Sequence, residues 1–316
     1  MNAPVRLPKF TSEIWTAKGE RRASIGLRSL ETLWFNTGTL CNITCANCYI
    51  ESSPRNDRLA YLSLAEVTTY LDEIKRDGLP TRLIGFTGGE PFMNAALPAM
   101  LEETLARGFE TLTLTNAMRP MMRWKDRIAT LASRYGEAMR VRVSLDHYRA
   151  EIHDRERGLG SFAKTMKGLQ WLASRGVALE LAGRRLSGEA EHELRSGFAR
   201  LARALAIPVD AHDPHQLVIF PEMTDAADPP EITPACWNIL NVSAADIMCA
   251  TGRMVVKRKG SDRPVVIACT LLPYDERFEL GASLADAHKP VNLAHRHCAT
   301  FCVLGGAACG QARQSR

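Results

Sequence analysis

Residues 31–50 read ETLWFNTGTLCNITCANCYI: the strand-like run LWFN is followed within a few residues by three cysteines, Cys41, Cys45 and Cys48. A short apolar run bounded by polar residues and glycine is a strand signal, so the thiols fall on the loop at a strand's carboxyl end. Working outward, similar apolar runs recur at 82–86, 110–115, 139–145, 177–182 and 216–220. Helix-like stretches fill most of the gaps. The clearest begins at Leu64, where Ser63 and Glu66 predict a capping box and Leu64, Val67, Leu71 and Ile74 share one face, before Gly78 and Pro80 end it. A second helix, with Ser161 as its expected cap, carries Phe162, Met166, Leu169 and Leu172 on its buried stripe and ends at Gly176; the helix around Met100 and Leu105 ends at Gly108.

Six strands alternating with helices predict an α/β protein with a parallel sheet. The count is too small for a complete eight-unit barrel and suits a partial (β/α)6 barrel of the TIM type, with ligands beyond the carboxyl ends of the strands. After about Pro221 the alternation stops; Pro229, Pro230 and Pro234 interrupt the chain, and short β-like runs with many cysteines follow. The expected organisation is an N-terminal extension over 1–31, a barrel over 32–221 and a small Cys-rich C-terminal domain over 222–316.

The chain has 316 residues, 46% hydrophobic and 24% charged, and its length does not require thiols as staples, so nine cysteines call for another explanation. Three lie between 41 and 48, none between 49 and 235, and six from 236 on, which points to two separate sites. A net charge of +5, spread without blocks of one sign, gives little support to nucleic acid or membrane as a partner. No signal-peptide core or apolar run of transmembrane length is present. The expectation is a reducing, cytoplasmic setting, where clustered thiols are metal ligands or catalytic groups rather than disulfides.

Thiolates at Cys-x3-Cys-x2-Cys spacing can wrap one face of an iron-sulfur cube and leave one of its four irons open to an outside ligand. A structural zinc site would want four closed ligands, and the chain has no histidine before His147.

This loop, followed some forty residues later by Thr87, Gly88, Gly89, Glu90 and Pro91 at the end of the second strand, resembles the radical S-adenosylmethionine (radical SAM) enzymes. The resemblance covers roughly 32–220. It implies a 4Fe-4S cluster on Cys41, Cys45 and Cys48, whose open iron is chelated by S-adenosylmethionine and which cleaves that cofactor to a 5′-deoxyadenosyl radical. Thr87, Gly88, Gly89 and Glu90 correspond to the family's segment that receives the methionine amino group. Asn116, Ser144 and Asp146, at later strand ends, are placed by the resemblance near the ribose or substrate; Arg184 is placed at the methionine carboxylate, with Arg185 as its rival. The segment HDRERGLGSF, 153–162, is similar to the run after the fourth strand in members with an extra cysteine domain. Many members carry an aromatic residue just before the third cysteine; here that position is Asn47, and the aromatic is Tyr49.

The C-terminal cysteines are Cys236, Cys249, Cys269, Cys298, Cys302 and Cys309. Cys249, the turn at Gly260, Cys269 and GAS from Gly281 resemble the opening of SPASM and Twitch auxiliary-cluster domains, and CATFCVLGGAACG supplies the rest. Two fully Cys-ligated cubes need about eight thiols, so six suit one auxiliary 4Fe-4S cluster. Its expected ligands are Cys249, Cys269, Cys298 and Cys302, with Cys309 as rival and Cys236 as an ordinary thiol. His295 and His297 keep a mixed Cys/His zinc site as the alternative.

The expected function is radical SAM chemistry that takes hydrogen from a peptide or small-molecule substrate, with flavodoxin or ferredoxin as electron donor. A zinc-stabilised adaptor and an iron-sulfur electron-transfer protein are the alternatives. His147, Tyr148, His212 and His215 are further candidates to line the cavity.

Overall fold

The computed structural model describes residues 8–222 and 228–306. Its chain runs β1 (Ser24–Ile25), β2 (Thr32–Asn36), α1 (Leu64–Arg76), β3 (Leu83–Thr87), α2 (Leu97–Ala106), β4 (Glu110–Thr115), α3 (Arg119–Met122), α4 (Lys125–Tyr135), β5 (Met139–Ser144), α5 (Ala150–Arg157), α6 (Ser161–Ser174), β6 (Ala178–Arg184), α7 (Glu191–Ala204), β7 (Leu217–Phe220), α8 (Cys236–Leu240), β8 (Gly252–Val256), β9 (Val265–Ile267), β10 (Glu279–Gly281) and β11 (Val291–Asn292). The six strands expected from the sequence are β2 to β7. They lie side by side in chain order and are all parallel, as a series of right-handed strand-helix-strand units produces.

Alternation sorts the strand side chains into two populations. Leu33 and Phe35 of β2, Ile84 and Phe86 of β3 and Val141 and Val143 of β5 join the apolar faces of the helices in one core. Phe35 stacks on Phe86 at 5.8 Å and meets the edge of Tyr70 from α1. Each such buried side chain contributes about 1.5–3 kcal/mol. Trp34 belongs to a second cluster with Leu83, Leu112 and residues of the C-terminal segment. Its ring lies where a Cβ on Gly85 would be, 2.2 Å away, so the glycine in LIGFT makes room for the indole.

The capping box at Ser63 and Glu66 forms as expected. At α6 the expectation is corrected. Gly160, at φ +74°, is the cap, and Ser161 is the first helical residue. Asp154 supplies the capping carboxylate from α5, accepting the N–H groups of Gly160 and Phe162 at 2.7 Å and the Ser161 hydroxyl at 2.9 Å.

Beyond residue 221 the chain returns to the sheet. β8 pairs in parallel with β2, and β9 and β10 continue antiparallel, giving the order β10-β9-β8-β2-β3-β4-β5-β6-β7. The N-terminal segment is tied to this C-terminal part: β1 pairs with β11, and Arg22 is buried against Glu231 at 2.6 Å. Its order comes from these distant partners, which is why it shows little periodicity of its own. No helix among the described residues is long and apolar enough to cross a membrane.

Candidate active site

The stretch after β2 zips against the stretch after β3. Thr37 donates its N–H and hydroxyl to the Thr87 carbonyl, Gly89 donates to the Gly38 carbonyl at 2.9 Å, and Glu90 donates to the Leu40 carbonyl at 3.1 Å. This approach leaves no room for side chains. A Cβ on Gly88 would lie 2.4 Å from the Gly38 oxygen and one on Gly89 2.2 Å from the Leu40 oxygen, and Gly88 also adopts φ +142°. The two glycines therefore set the height at which Cys41 leaves the sheet.

The thiol loop is then pinned from three sides. Cys41 donates its N–H to the Ser53 carbonyl, Ala46 donates to the Glu156 carbonyl, and Asn47 Nδ2 bonds the Glu156 carboxylate at 2.9 Å. Arg184 Nη1 reaches the Asn47 carbonyl at 2.8 Å. Asn47 is thus used to anchor the loop, while Tyr49 lines the cavity.

That cavity, at the carboxyl ends of the strands, brings together Cys41, Cys45 and Cys48 with Thr87, Gly88, Gly89, Asn116, Ser144, Asp146 and Arg184. Every expected first-site residue lines it except Glu90, which lies behind the rim. Its buried carboxylate accepts from the Thr115 hydroxyl at 2.9 Å and from the N–H groups of Asn116 and Phe92, tying the ends of β3 and β4 together. Burial pushes Glu90 up to about 7 even so, with these donors pulling the other way.

Asp146 sits between two arginines. Arg157 grips it bidentately at 2.7 and 3.0 Å, and Arg184 Nε lies at 3.4 Å. Burial alone would raise the Asp146 carboxyl; the two guanidiniums overcome it and hold the group below the usual carboxylate range. Two cations on one carboxylate leave a net positive charge at the cavity wall, suited to an anionic ligand group. Arg157 was not singled out in the sequence, although it lies within 153–162; its only signal was that segment. Arg185 instead pairs with Glu191 in a different cleft.

The donor set fits an iron-sulfur cluster. Burial pushes Cys41 up to about 12 and raises Cys45, against which the charge of Arg157 pulls hardest, so these thiols hold their protons until a metal replaces them. Polar donors already face the sulfurs: Ser52 N–H lies 3.3 Å from Cys48 Sγ, and Asn116 Nδ2 lies 4.0 Å from Cys41 Sγ. The buried Ser52 hydroxyl, also on the cavity wall, has no partner among the described residues.

In the C-terminal part, Cys249, Cys269, Cys298 and Cys302 line one small pocket with apolar neighbours such as Met248, Leu272 and Phe278. Burial pushes Cys249 up to about 11 and Cys298 to about 12. Beside them Arg253, 1% exposed, bonds the carbonyls of Cys249, Gly252 and Ala287 and has no partner for Nη2 among the described residues. A buried cation close to Cys249 and Cys269 suits an anionic metal-thiolate group there. His295 and His297 do not line this pocket; they line a cleft with Cys48, Tyr49 and Asp275. Cys236 bonds the Thr233 backbone N–H outside both thiol pockets, and Cys309 lies outside the described residues. Among the described residues no group of three or more His, Cys, Asp or Glu side chains is gathered closely enough for a single metal ion.

The remaining candidates fall elsewhere. His147 is buried, with Nε2 on Glu189 at 3.0 Å, and Tyr148 bonds the same carboxylate; neither lines the cavity. His212 also lies outside it, and His215 lines the cleft that holds Arg185.

A parallel partial barrel with three thiols and a glycine turn at its carboxyl rim defines a class, and residues 35–182 match the family model "Radical SAM superfamily". The match covers just under half of the chain and is a similarity to that superfamily. The chain is 34% identical over 143 residues to the antilisterial bacteriocin subtilosin biosynthesis protein AlbA of Bacillus subtilis, covering 45% of this chain and 30% of AlbA. It is 30% identical over 138 residues to the mycofactocin maturase MftC of Mycobacterium tuberculosis, covering 44% and 33%. These matched regions span about a third of the length of the curated relatives. Among solved structures, Streptococcus suis SuiB bound to precursor peptide SuiA superposes with a TM-score of 0.59 at 12% identity, covering 84% of this chain and 66% of SuiB, a likeness of fold.

Proposed function

We propose that the chain holds a 4Fe-4S cluster on Cys41, Cys45 and Cys48, binds S-adenosylmethionine against Thr87, Gly88 and Gly89, and abstracts hydrogen from a peptide. When bound, the reduced cluster supplies the electron that splits S-adenosylmethionine into methionine and a 5′-deoxyadenosyl radical. The observation that carries the reading is the single cavity shared by the three thiols, the glycine turn and the Asp146 and Arg184 pair.

The chain's own residues divide the work. Gly88 and Gly89 bring the backbone close enough for the Thr87 strand end to meet an amino group, and Glu90 holds that turn from behind. Arg184, oriented by Asp146 and by the Asn47 carbonyl, offers its guanidinium to a carboxylate. Ser144 and Asn116 supply polar groups to the ribose or substrate, and Tyr49, Leu271 and Phe301 exclude water from the reacting side. Cys249, Cys269, Cys298 and Cys302 hold an auxiliary cluster, with Arg253 balancing its charge. In this reading 32–221 is the catalytic barrel and 222–316 the auxiliary-cluster region, and a flavodoxin or ferredoxin delivers the electron. A peptide substrate is supported by the bacteriocin-biosynthesis role in AlbA's name and by the precursor peptide bound to SuiB.

The test is reductive cleavage of S-adenosylmethionine by anaerobically reconstituted protein. Wild type should form 5′-deoxyadenosine, and Cys45→Ala should not; continued formation in the variant would sink the reading.

A further inference from the structure

Beside the cofactor cavity lies a second cleft that the proposed function leaves unassigned. It is lined by Arg140 and Arg142 of β5, Glu180 of β6, and Arg185, Glu191 and Arg195. Arg142 and Pro221 line both cavities, so the cleft adjoins the place where hydrogen abstraction would occur.

Its charges are arranged in two layers, each a carboxylate shared by two guanidiniums. Arg140 Nη1 donates to Glu180 Oε1 at 2.9 Å and Arg142 Nε to Oε2 at 2.9 Å; Arg185 and Arg195 share Glu191 at 3.0 and 2.9 Å. Glu110 adds a third carboxylate from behind, bonded by Arg140 Nη2 at 3.0 Å. Four cations therefore face three anions, before His215 at the cleft wall is counted. A second observation is independent of this balance. Arg140 is 3% exposed, and its Nε–H has no partner among the described residues, a buried donor that calls for an explanation of its own.

The spacing also matters. Side chains at 140, 142 and 144 share one face of β5, so Arg142 and Arg140 stand two and four residues from Ser144 in the cofactor cavity, about 7 and 13 Å along the strand. The volume, about 340 Å³, suits a side chain or a small acid.

We propose that this cleft binds a carboxylate of the substrate, on a peptide's acidic residue or on a small acid, and presents the neighbouring carbon to the cofactor cavity. The inference rests on the proposed function, because it names the substrate group for that same site. Guanidiniums recognise carboxylates, and Arg185, half exposed and bonded to Glu191 through Nη2, can turn its other N–H groups to a second carboxylate.

Calorimetric titration of reconstituted full-length protein tests it with three probes: the peptide acetyl-Gly-Ala-Glu-Ala-Gly-amide, its Glu→Gln counterpart, and glutarate. The glutamate peptide should bind about tenfold or more tighter than the glutamine peptide. Arg140→Gln should abolish that preference, and Arg185→Gln, which alters a half-exposed pair and spares the interior, should reduce it about threefold. Tight binding of the glutamate peptide with weak binding of glutarate identifies a peptide; the reverse, with the same dependence on Arg140 and Arg185, identifies a small acid. Equal affinities for the two peptides together with no glutarate binding, or a preference unchanged in both variants, overturns the inference. Absence of 5′-deoxyadenosine from wild type would count against the proposed function alone, since carboxylate binding is read without turnover.

Discussion

The guanidinium of Arg157 meets the carboxylate of Asp146 through two hydrogen bonds of 2.7 and 3.0 Å, joining the last residue of α5 to the loop that leaves β5. Asp146 is 2% exposed, so removing its main partner strands a buried charge. Arg157→Gln should destabilise the protein by about 3 kcal/mol, with Arg184 at 3.4 Å limiting the loss. Arg157→Lys should recover only part of it, because an ammonium cannot grip both oxygens in plane. Urea denaturation measures both.

Gly89→Ala should release the first cluster without unfolding the barrel. The added Cβ would lie 2.2 Å from the Leu40 carbonyl oxygen, on the strand end that leads directly to Cys41. Iron analysis after reconstitution should show a loss of about four irons per chain relative to wild type. Gly78→Ala, where nothing lies within 4 Å, is the control and should cost only the strain of its φ of +61°, about 1 kcal/mol, with full iron.

Cys298→Ser should remove the auxiliary cluster and leave the first one in place. The two thiol pockets share no lining residue, so the losses should be separable. About four irons should remain, with the variant still binding S-adenosylmethionine. Loss of all iron would show instead that the pockets fill together.

His153 should make the protein acid-sensitive at mild pH. Its ring is fully buried against Phe162, with neither nitrogen partnered among the described residues. Burial, reinforced by Arg157, lowers it to about 4. Between the unfolded value near 6.5 and that folded value, the unfolded chain binds a proton that the folded one does not. Stability from this group is therefore complete above about pH 6.5 and falls as the pH drops toward 4, by about 1.4 kcal/mol per unit. Thermal melts of His153→Leu across pH 4–7 should show a correspondingly shallower slope than wild type.

Much of the carboxyl end of the barrel is legible in the chain. Local patterns place β2 to β7 within a residue or two of their observed bounds, because parallel strands buried on both faces leave dense apolar runs. The thiol loop and the glycine turn are legible for a similar reason: residue type and spacing within one short segment carry the chemistry. Arg157 is not, since RERG at the end of α5 reads as a solvated helix terminus until Asp146 is seen beneath it. Arg140, Arg142 and Glu180 stay hidden in the same way, for a charge inside a barrel looks in sequence like a charge on any exposed strand face.

The sequence by itself determined the alternating strands and helices, the three-thiol loop and the turn that follows the next strand, because each depends on neighbours a few positions away. Only the tertiary structure decided that Gly88 and Gly89 make room for the backbone of the thiol loop, that Glu90 braces the rim from behind, and that four distant C-terminal thiols face one pocket. Those outcomes rest on contacts between residues tens of positions apart, and it is packing, through what it buries and brings within bonding distance, that selects them.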